Sequence, residues 1–364
     1  MTPPSRARCR LTNLHLRVRT LPTRNRGTYV MRGYLRFAFK RFLLLAAVVF
    51  AGVSAAFFIT HLSPVSPVET ALARITARSH FSPDGIAAMR AALTDMYGVN
   101  EPLLSKYVNF WRRFVQGDLG PSLIAFPTPA MSLVRRALPW TVGLLSFAII
   151  VTWLVGNILG GLAGYYQKNR FLKAFGVVAI GVQPIPYYIV AFILLIIFGF
   201  LWPVLPISGG FSMTVTPGWN VRFISSVALH AILPATALVL VGFGGWFLGM
   251  RALVSNIVTE DYVIYAELAG VDRSRIVFSY VIRNALVPQI TALAMALGGI
   301  FSGTVITEQV FSYPGLGSLL IEAVNGGDYS LVLAVSTVAI IAVASAIFIV
   351  DLLHPILDPR IRTE

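Results

Sequence analysis

Side chains able to do chemistry are sparse in this 364-residue chain, and their spacing excludes most catalysis. The 5 histidines stand singly, and no H-E-x-x-H offers zinc two ligands on one helix face. Cys9 is the only cysteine, which leaves no disulfide within the chain and no cysteine-based metal site. No G-x-x-x-x-G-K-[ST] loop is present to cradle a nucleotide phosphate. No nucleophile–base pair falls at helical spacing, which disfavours an intramembrane enzyme. The unusual polar stretch is 260–275, EDYVIYAELAGVDRSR, set between two apolar runs. Asp261 can cap a helix start, Tyr262, Ala266 and Ala269 follow helical spacing, and Gly270 suits a helix end. The segment 276–286 then leads through Arg283-Asn284-Ala285 to Pro288. A short helix, a glycine turn and a second helix would make a rigid knob for a soluble partner to grip. An amphipathic helix lying at a membrane interface would carry the same pattern.

The elements that position this segment are set by composition. Charged residues make up 12% of the chain, against about 25% in soluble domains, while 56% are hydrophobic, so the chain is an all-α integral membrane protein. Runs long enough to span a bilayer lie near 42–61, 138–164, 174–201, 226–250, 286–306 and 331–353. About six spans put both termini on one side. Arg32, Arg36, Lys40 and Arg41 precede the first run, Lys168, Arg170 and Lys173 fill the loop after the second, and Arg251, Arg273, Arg275 and Arg283 lie between the fourth and fifth. Arg360 and Arg362 follow the sixth, so this face is the expected cytoplasmic one, with both termini on it.

The segment 62–137 is then an external helical subdomain between spans one and two, with Ser82-Pro83-Asp84 as a helix start. It carries arginines and lysines of its own, but loops beyond about 60 residues escape the charge bias. Residues 1–31 read as a basic tail without packed structure, or as sequence ahead of a start at Met31. Seven of its residues (Arg6, Arg8, Arg10, Arg17, Arg19, Arg24, Arg26) are arginines, but no folded module accompanies them, so no nucleic-acid partner is expected. The span 32–61 reads as a retained first helix, not a cleaved signal. Residues 138–353 form the membrane core, holding the 261–288 loop, and 354–364 a cytoplasmic tail. Gly156, Gly160 and Gly164 form two overlapping G-x-x-x-G steps for close helix approach, and Pro184 and Pro186 should kink the third span. The spans are nearly free of ionisable groups, which disfavours ion and proton transport and a self-contained channel or secondary carrier.

Residues 261–288 resemble the EAA loop of ABC-importer permeases in the form used by the dipeptide/oligopeptide (DppB/OppB-like) branch, D-Y-V-x-x-A-x-x-x-G followed by R-N-A-x-x-P. The matching residues are Asp261, Tyr262, Val263, Ala266, Gly270, Arg283, Asn284, Ala285 and Pro288. Ile264 and Tyr265 depart from the general motif, which has Glu and Ala there. The resemblance extends over about 32–362. It includes Gly117-Asp118-Leu119-Gly120 with Ser122, then Leu138-Pro139 with Thr141, and His230 to Ala235. Farther on, Glu308, Phe311, Pro314, Gly315 and Gly317 match E-x-x-F-x-x-P-G-L-G, followed by Asp328-Tyr329 and the tail 357–362, LDPRIR.

The resemblance implies the type I (MetI-like) permease fold and one half of an importer path in the bacterial cytoplasmic (inner) membrane. It implies a second homologous permease subunit, two ABC ATPase subunits that use ATP and Mg, an extracytoplasmic substrate-binding protein, and membrane lipid around the spans. This chain itself would bind no cofactor. The segment 262–276 would be the coupling helix, and Asp261, Tyr262, Ala266, Gly270, Arg273, Arg275, Arg283, Asn284 and Pro288 the residues facing or supporting the ATPase. Glu308, Phe311, Pro314, Gly315 and Gly317 would belong to the path or an external gate, or anchor a local turn. Peptides are the expected cargo. Related subunits carry oligosaccharides or nickel chelates, and the sequence does not choose between these cargoes.

Overall fold

In the computed structural model the described residues are 26–62, 67–78, 82–96, 98, 100–299 and 305–357. The chain divides into two units, Met1–Leu43 and Leu44–Glu364. In the first, residues from Arg26 onward are helical, and the Arg41 guanidinium lies 5.3 Å from the Phe37 ring centroid. The helix concerned, α1 (Arg26–His61), starts before the expected 32 because no proline interrupts the intervening residues. Residues 1–25 of the expected basic tail lie outside the described residues.

The second unit begins its own helices with α2 (Pro67–Arg78), α3 (Pro83–Met96) and α4 (Leu103–Val115). The Ser82 hydroxyl accepts the Gly85 N–H at 3.2 Å, the N-cap bond that starts α3 where the sequence placed it. Val68, Ala71 and Leu72 of α2 pack on Leu93 of α3, with Leu123 against them. The next helix, α5 (Ala130–Tyr165), runs through Pro139, so the expected subdomain ending at 137 gives up its last residues to the span. Neighbouring helices satisfy the backbone group a proline frees, which makes such a residue tolerable inside a membrane helix.

After α6 (Arg170–Val182) and α7 (Tyr187–Leu195), with its π-type extension Ile196–Leu201, comes α8 (Val221–Ile257). The expected single span 174–201 is two pieces bent by 106° at Gln183-Pro184-Ile185-Pro186. Two prolines remove two backbone donors, and the backbone, still helical at Gln183, turns extended at Pro186 (φ −59°, ψ 140°), so the chain breaks where a single proline would kink it. The α5 and α8 helices form the spine. A Cβ on Gly156 would fall 2.5 Å from Trp246 Cβ, one on Gly164 2.7 Å from Val254 Cβ, and one on Gly160 would collide with the Phe247 carbonyl. The G-x-x-x-G steps are therefore a packing seam.

The remaining helices are α9 (Asp261–Leu268), the short α10 (Arg273–Arg275), a π-type turn Ile276–Ile282, α11 (Arg283–Gly298), α12 (Val305–Val310), α13 (Leu316–Gly326) and α14 (Tyr329–Leu357). The fifth span starts at Arg273, not 286, because helical structure is continuous from α10 into α11. Its expected end at 300–306 falls largely outside the described residues. Among the described residues, five helices are long and apolar enough to cross a membrane, or six if the bent pair is one span.

Candidate functional site: the 261–288 loop and the Glu308 turn

Two groups of sequence-selected residues pack at different levels of α8, one against Met250 and Val254 near its C-terminal end and the other against Leu233 and Val241 in its N-terminal half and middle. At one end stands α9. Asp261 is its first helical residue, and the N-cap position belongs to Glu260, which makes no side-chain capping bond. Asp261 therefore contributes through its charge in the first turn and not as the expected cap. The helix ends in a Schellman motif. Gly270 has φ +73°, its N–H donates to the Glu267 carbonyl at 3.0 Å, and the Val271 N–H donates to the Ala266 carbonyl at 3.1 Å. Residues with a Cβ resist this backbone conformation, which is the physical need for glycine here. Asp272 then restarts the chain as N-cap of α10 by accepting the Ser274 N–H at 3.0 Å. The Ser274 hydroxyl beside it holds the Asp272 carboxyl below its usual range.

Val263 and Ala266 bury the inner face of α9 against Met250 and Val254 of α8, Ile276 and Val281 of the π-type turn and Ala285 of α11. Asn284 reaches back from α11, donating to the Tyr262 hydroxyl at 3.1 Å and to the Tyr280 carbonyl at 2.7 Å. The Tyr165 hydroxyl, from the end of α5, donates to Glu267 at 3.3 Å. Tyr262, Asn284, Ala266 and Gly270 are thus brought together, while Arg273, Arg275, Arg283 and Pro288 are exposed along the same helical run. The outward face holds residues that sequence reasoning did not select. Ile264 is 44% exposed, Tyr265 71% and Leu268 79%. Their positions opposite Val263 and Ala266 on a 3.6-residue helix were the available signal.

At the other end, Glu308 of α12 is fully buried. Its carboxylate accepts the Thr141 hydroxyl at 2.6 Å, the Gly317 N–H at 2.7 Å and the Ser318 N–H at 3.1 Å. Thr141 in turn accepts the Leu316 N–H at 2.7 Å. The first three amides of α13, orphaned in any helix, are satisfied by a carboxylate from α12 and a hydroxyl from α5. Burial pushes the Glu308 carboxyl up, against the hydrogen bonds from Thr141, Ser318 and Gly317 that pull it down. Gly315 and Gly317 are required by this approach, since a Cβ on Gly315 would collide with the carboxylate and one on Gly317 would lie 2.6 Å from Val305 Cα. Phe311 is buried among Val190, Leu194, Leu233 and Val241, whereas Pro314 is exposed.

A second buried carboxylate, quoted in the sequence but not selected as a site, repeats this design. Asp328 precedes α14, accepts the Leu331 N–H at 3.0 Å, and gives its other oxygen to the Ser122 hydroxyl and to the N–H groups of Leu123 at 2.6 Å and Ile124 at 3.2 Å. It clamps the 120s loop to the start of the last span.

Long apolar helices with a capped loop toward one end and carboxylate-locked helix starts toward the other make an integral membrane protein. Residues 156–363 match the family of binding-protein-dependent transport system inner membrane components. The chain belongs to that family and is the permease component of a binding-protein-dependent ABC importer. It is 30% identical to the oligopeptide transport system permease protein OppB of Haemophilus influenzae, over 90% of this chain and 99% of that protein. It is 25% identical to the dipeptide transport system permease protein DppB of Lactococcus lactis, over 90% and 99%. Against the oligopeptide permease AppB of Bacillus subtilis it is 28% identical, over 76% and 85%.

Proposed function

We propose that this chain forms half of the translocation path of an ATP-driven importer of di- or oligopeptides, and that residues 261–288 are where a partner ATPase grips it. A second homologous permease completes the path, two ATPase subunits bind ATP and Mg, and a substrate-binding protein delivers cargo on the opposite face. The α9 end and both termini then lie in the cytoplasm. One observation carries the reading: α9 is rooted by Val263 and Ala266, closed by a Schellman turn, and yet presents Tyr265 and Leu268 outward. Exposed apolar side chains on a rigid, polar-rimmed projection favour a protein socket. Nucleotide-driven closure of the motors would push this knob, and the continuous run from α10 into α11 would pass the movement to the span. At the far end the Glu308 turn makes a rigid rim. Pro314 is available to a docked binding protein there, and Glu308, Phe311, Gly315 and Gly317 support it from within. Peptides are the favoured cargo because the relatives named above are peptide permeases.

The test is reconstitution with and without the ATPase subunits. Peptide uptake should require them, and uptake unchanged in their absence would overturn the proposal. Gly270→Val should insert normally yet uncouple ATP hydrolysis from uptake, because a β-branched residue resists the left-handed conformation. Gly270→Asn, which tolerates that conformation, should stay coupled.

A further inference from the structure

The α4 helix is not absorbed by either site. Wound at 3.6 residues per turn, its 13 residues put the apolar side chains on an arc of about 160° and leave the polar side chains on the remainder. One flank of the apolar arc packs on α1. Trp111 stacks on Phe50 with ring centroids 5.1 Å apart, Tyr107 on Phe58 at 5.2 Å, and the Tyr107 and Ser54 hydroxyls meet at 2.7 Å. Phe50 lies eleven residues before His61, the end of α1, which is about 16 Å down the helix. A ring touching it therefore lies alongside the span and not beyond its end.

The other flank of the arc is uncovered, with Leu104 74% exposed, Val108 59% and Val115 82%. The polar arc carries Lys106, Arg112 and Arg113 and no acidic residue; Arg113 also meets Asp118, just beyond the helix, at 3.4 Å. An apolar flank continuous with a membrane span, edged by cations and by Trp and Tyr rings, has the composition of an interfacial membrane helix.

We propose that α4 lies in the membrane interface of the leaflet away from the 261–288 loop. Leu104, Val108 and Val115 enter the acyl chains, and Arg112 and Arg113 bind phospholipid phosphates, preferring anionic lipid. The helix thereby holds the segment between spans one and two to the membrane surface.

The test uses the full chain with Cys9→Ser, reconstituted in phosphatidylcholine nanodiscs containing phosphatidylglycerol. Nitroxides are attached singly at Val108→Cys, Val115→Cys, Ser105→Cys and Asn109→Cys. The first two should be several-fold more accessible to oxygen than to a water-soluble nickel chelate, and the last two the reverse. Low access of both reagents to 108 and 115 would mean that a protein covers the flank, and high nickel access would mean that water does. Either result overturns the proposal. A bimane at Val115→Cys should be quenched about 2-fold more by brominated phosphatidylglycerol than by brominated phosphatidylcholine. Arg112→Gln with Arg113→Gln should abolish that preference, and equal quenching in the parent would remove the phosphate contact.

Discussion

The two ends of the bundle use the same kinds of residue in opposite ways. At the Glu308 end, two carboxylates are withdrawn completely from solvent and each satisfies a helix start from within the chain. At the α9 end, Glu260, Asp261 and Glu267 stay exposed, while apolar Tyr265 and Leu268 face outward. A buried carboxylate is tolerated only when it is hydrogen-bonded, and both oxygens of each of these are, from within the chain. Outward apolar residues on a well-rooted helix are the reverse case, a surface that another protein would complete. Rigidity at one end and incompleteness at the other suit a subunit whose movement is imposed from outside.

The largest expected effect breaks the closed end. Glu308→Ala strands the Thr141 hydroxyl and the Gly317 and Ser318 amides, each costing about 1–3 kcal/mol when buried without a partner. A loss on the order of 3 kcal/mol or more, read as lower thermal stability and yield in detergent, is the expected outcome. Glu308→Gln keeps one acceptor oxygen and should lose about 1 kcal/mol. The sign of the pH dependence is fixed by burial. A carboxyl whose folded value is raised above the 4.5 of the free side chain costs stability when charged. That cost is fully present above the folded value and fades as pH falls toward 4.5. Parent stability should therefore improve over that window, and the slope should vanish in Glu308→Gln. An alanine variant as stable as the parent would remove Glu308 from the anchor.

The intermediate effect separates stability from function at the open end. Leu268→Ser with Tyr265→Ser removes only exposed side chains, so folded stability should change by about 0.5 kcal/mol or less. Uptake driven by the ATPase, or binding of the ATPase to the permease in detergent, should nonetheless fall about tenfold, the loss of one interfacial anchor of about 1.4 kcal/mol. Unchanged binding and uptake would show that the outward face of α9 is not the socket's target.

Some of this was legible in the sequence for definite physical reasons. The first, second, fourth and sixth apolar runs, Gly270 as a helix stop, the helix start at Ser82-Pro83-Asp84 and the G-x-x-x-G seam each rest on local rules, and each is found where those rules put it. The Pro184–Pro186 break was legible in position but not in size, because local sequence does not say whether neighbouring helices will hold two halves in line. The start of the fifth span at Arg273 was hidden by polar residues in a segment whose helicity comes from packing on α8 and α9. The partnerships of Glu308 with Thr141 and of Asp328 with Ser122 were illegible. They join residues 167 and 206 positions apart, and no spacing rule reaches across that distance.

The smallest expected effect sharpens the comparison by probing how the open end is tied to the span behind it. Asn284 donates to the Tyr262 hydroxyl across an exposed contact of 3.1 Å while also holding the Tyr280 carbonyl at the end of the π-type turn. Tyr262→Phe removes only the first bond and should cost about 0.5 kcal/mol, the low end for a solvent-accessible hydrogen bond. Asn284→Ala removes both and should cost more. If the bond transmits force between α9 and α11, Tyr262→Phe in the Asn284→Ala background should add nothing further, either to stability or to the ratio of ATP hydrolysed to peptide carried. Additive losses in that cycle would show that the two residues act independently. The coupling would then run through the buried contacts of Val263 and Ala266 with Val281 and Ala285 alone.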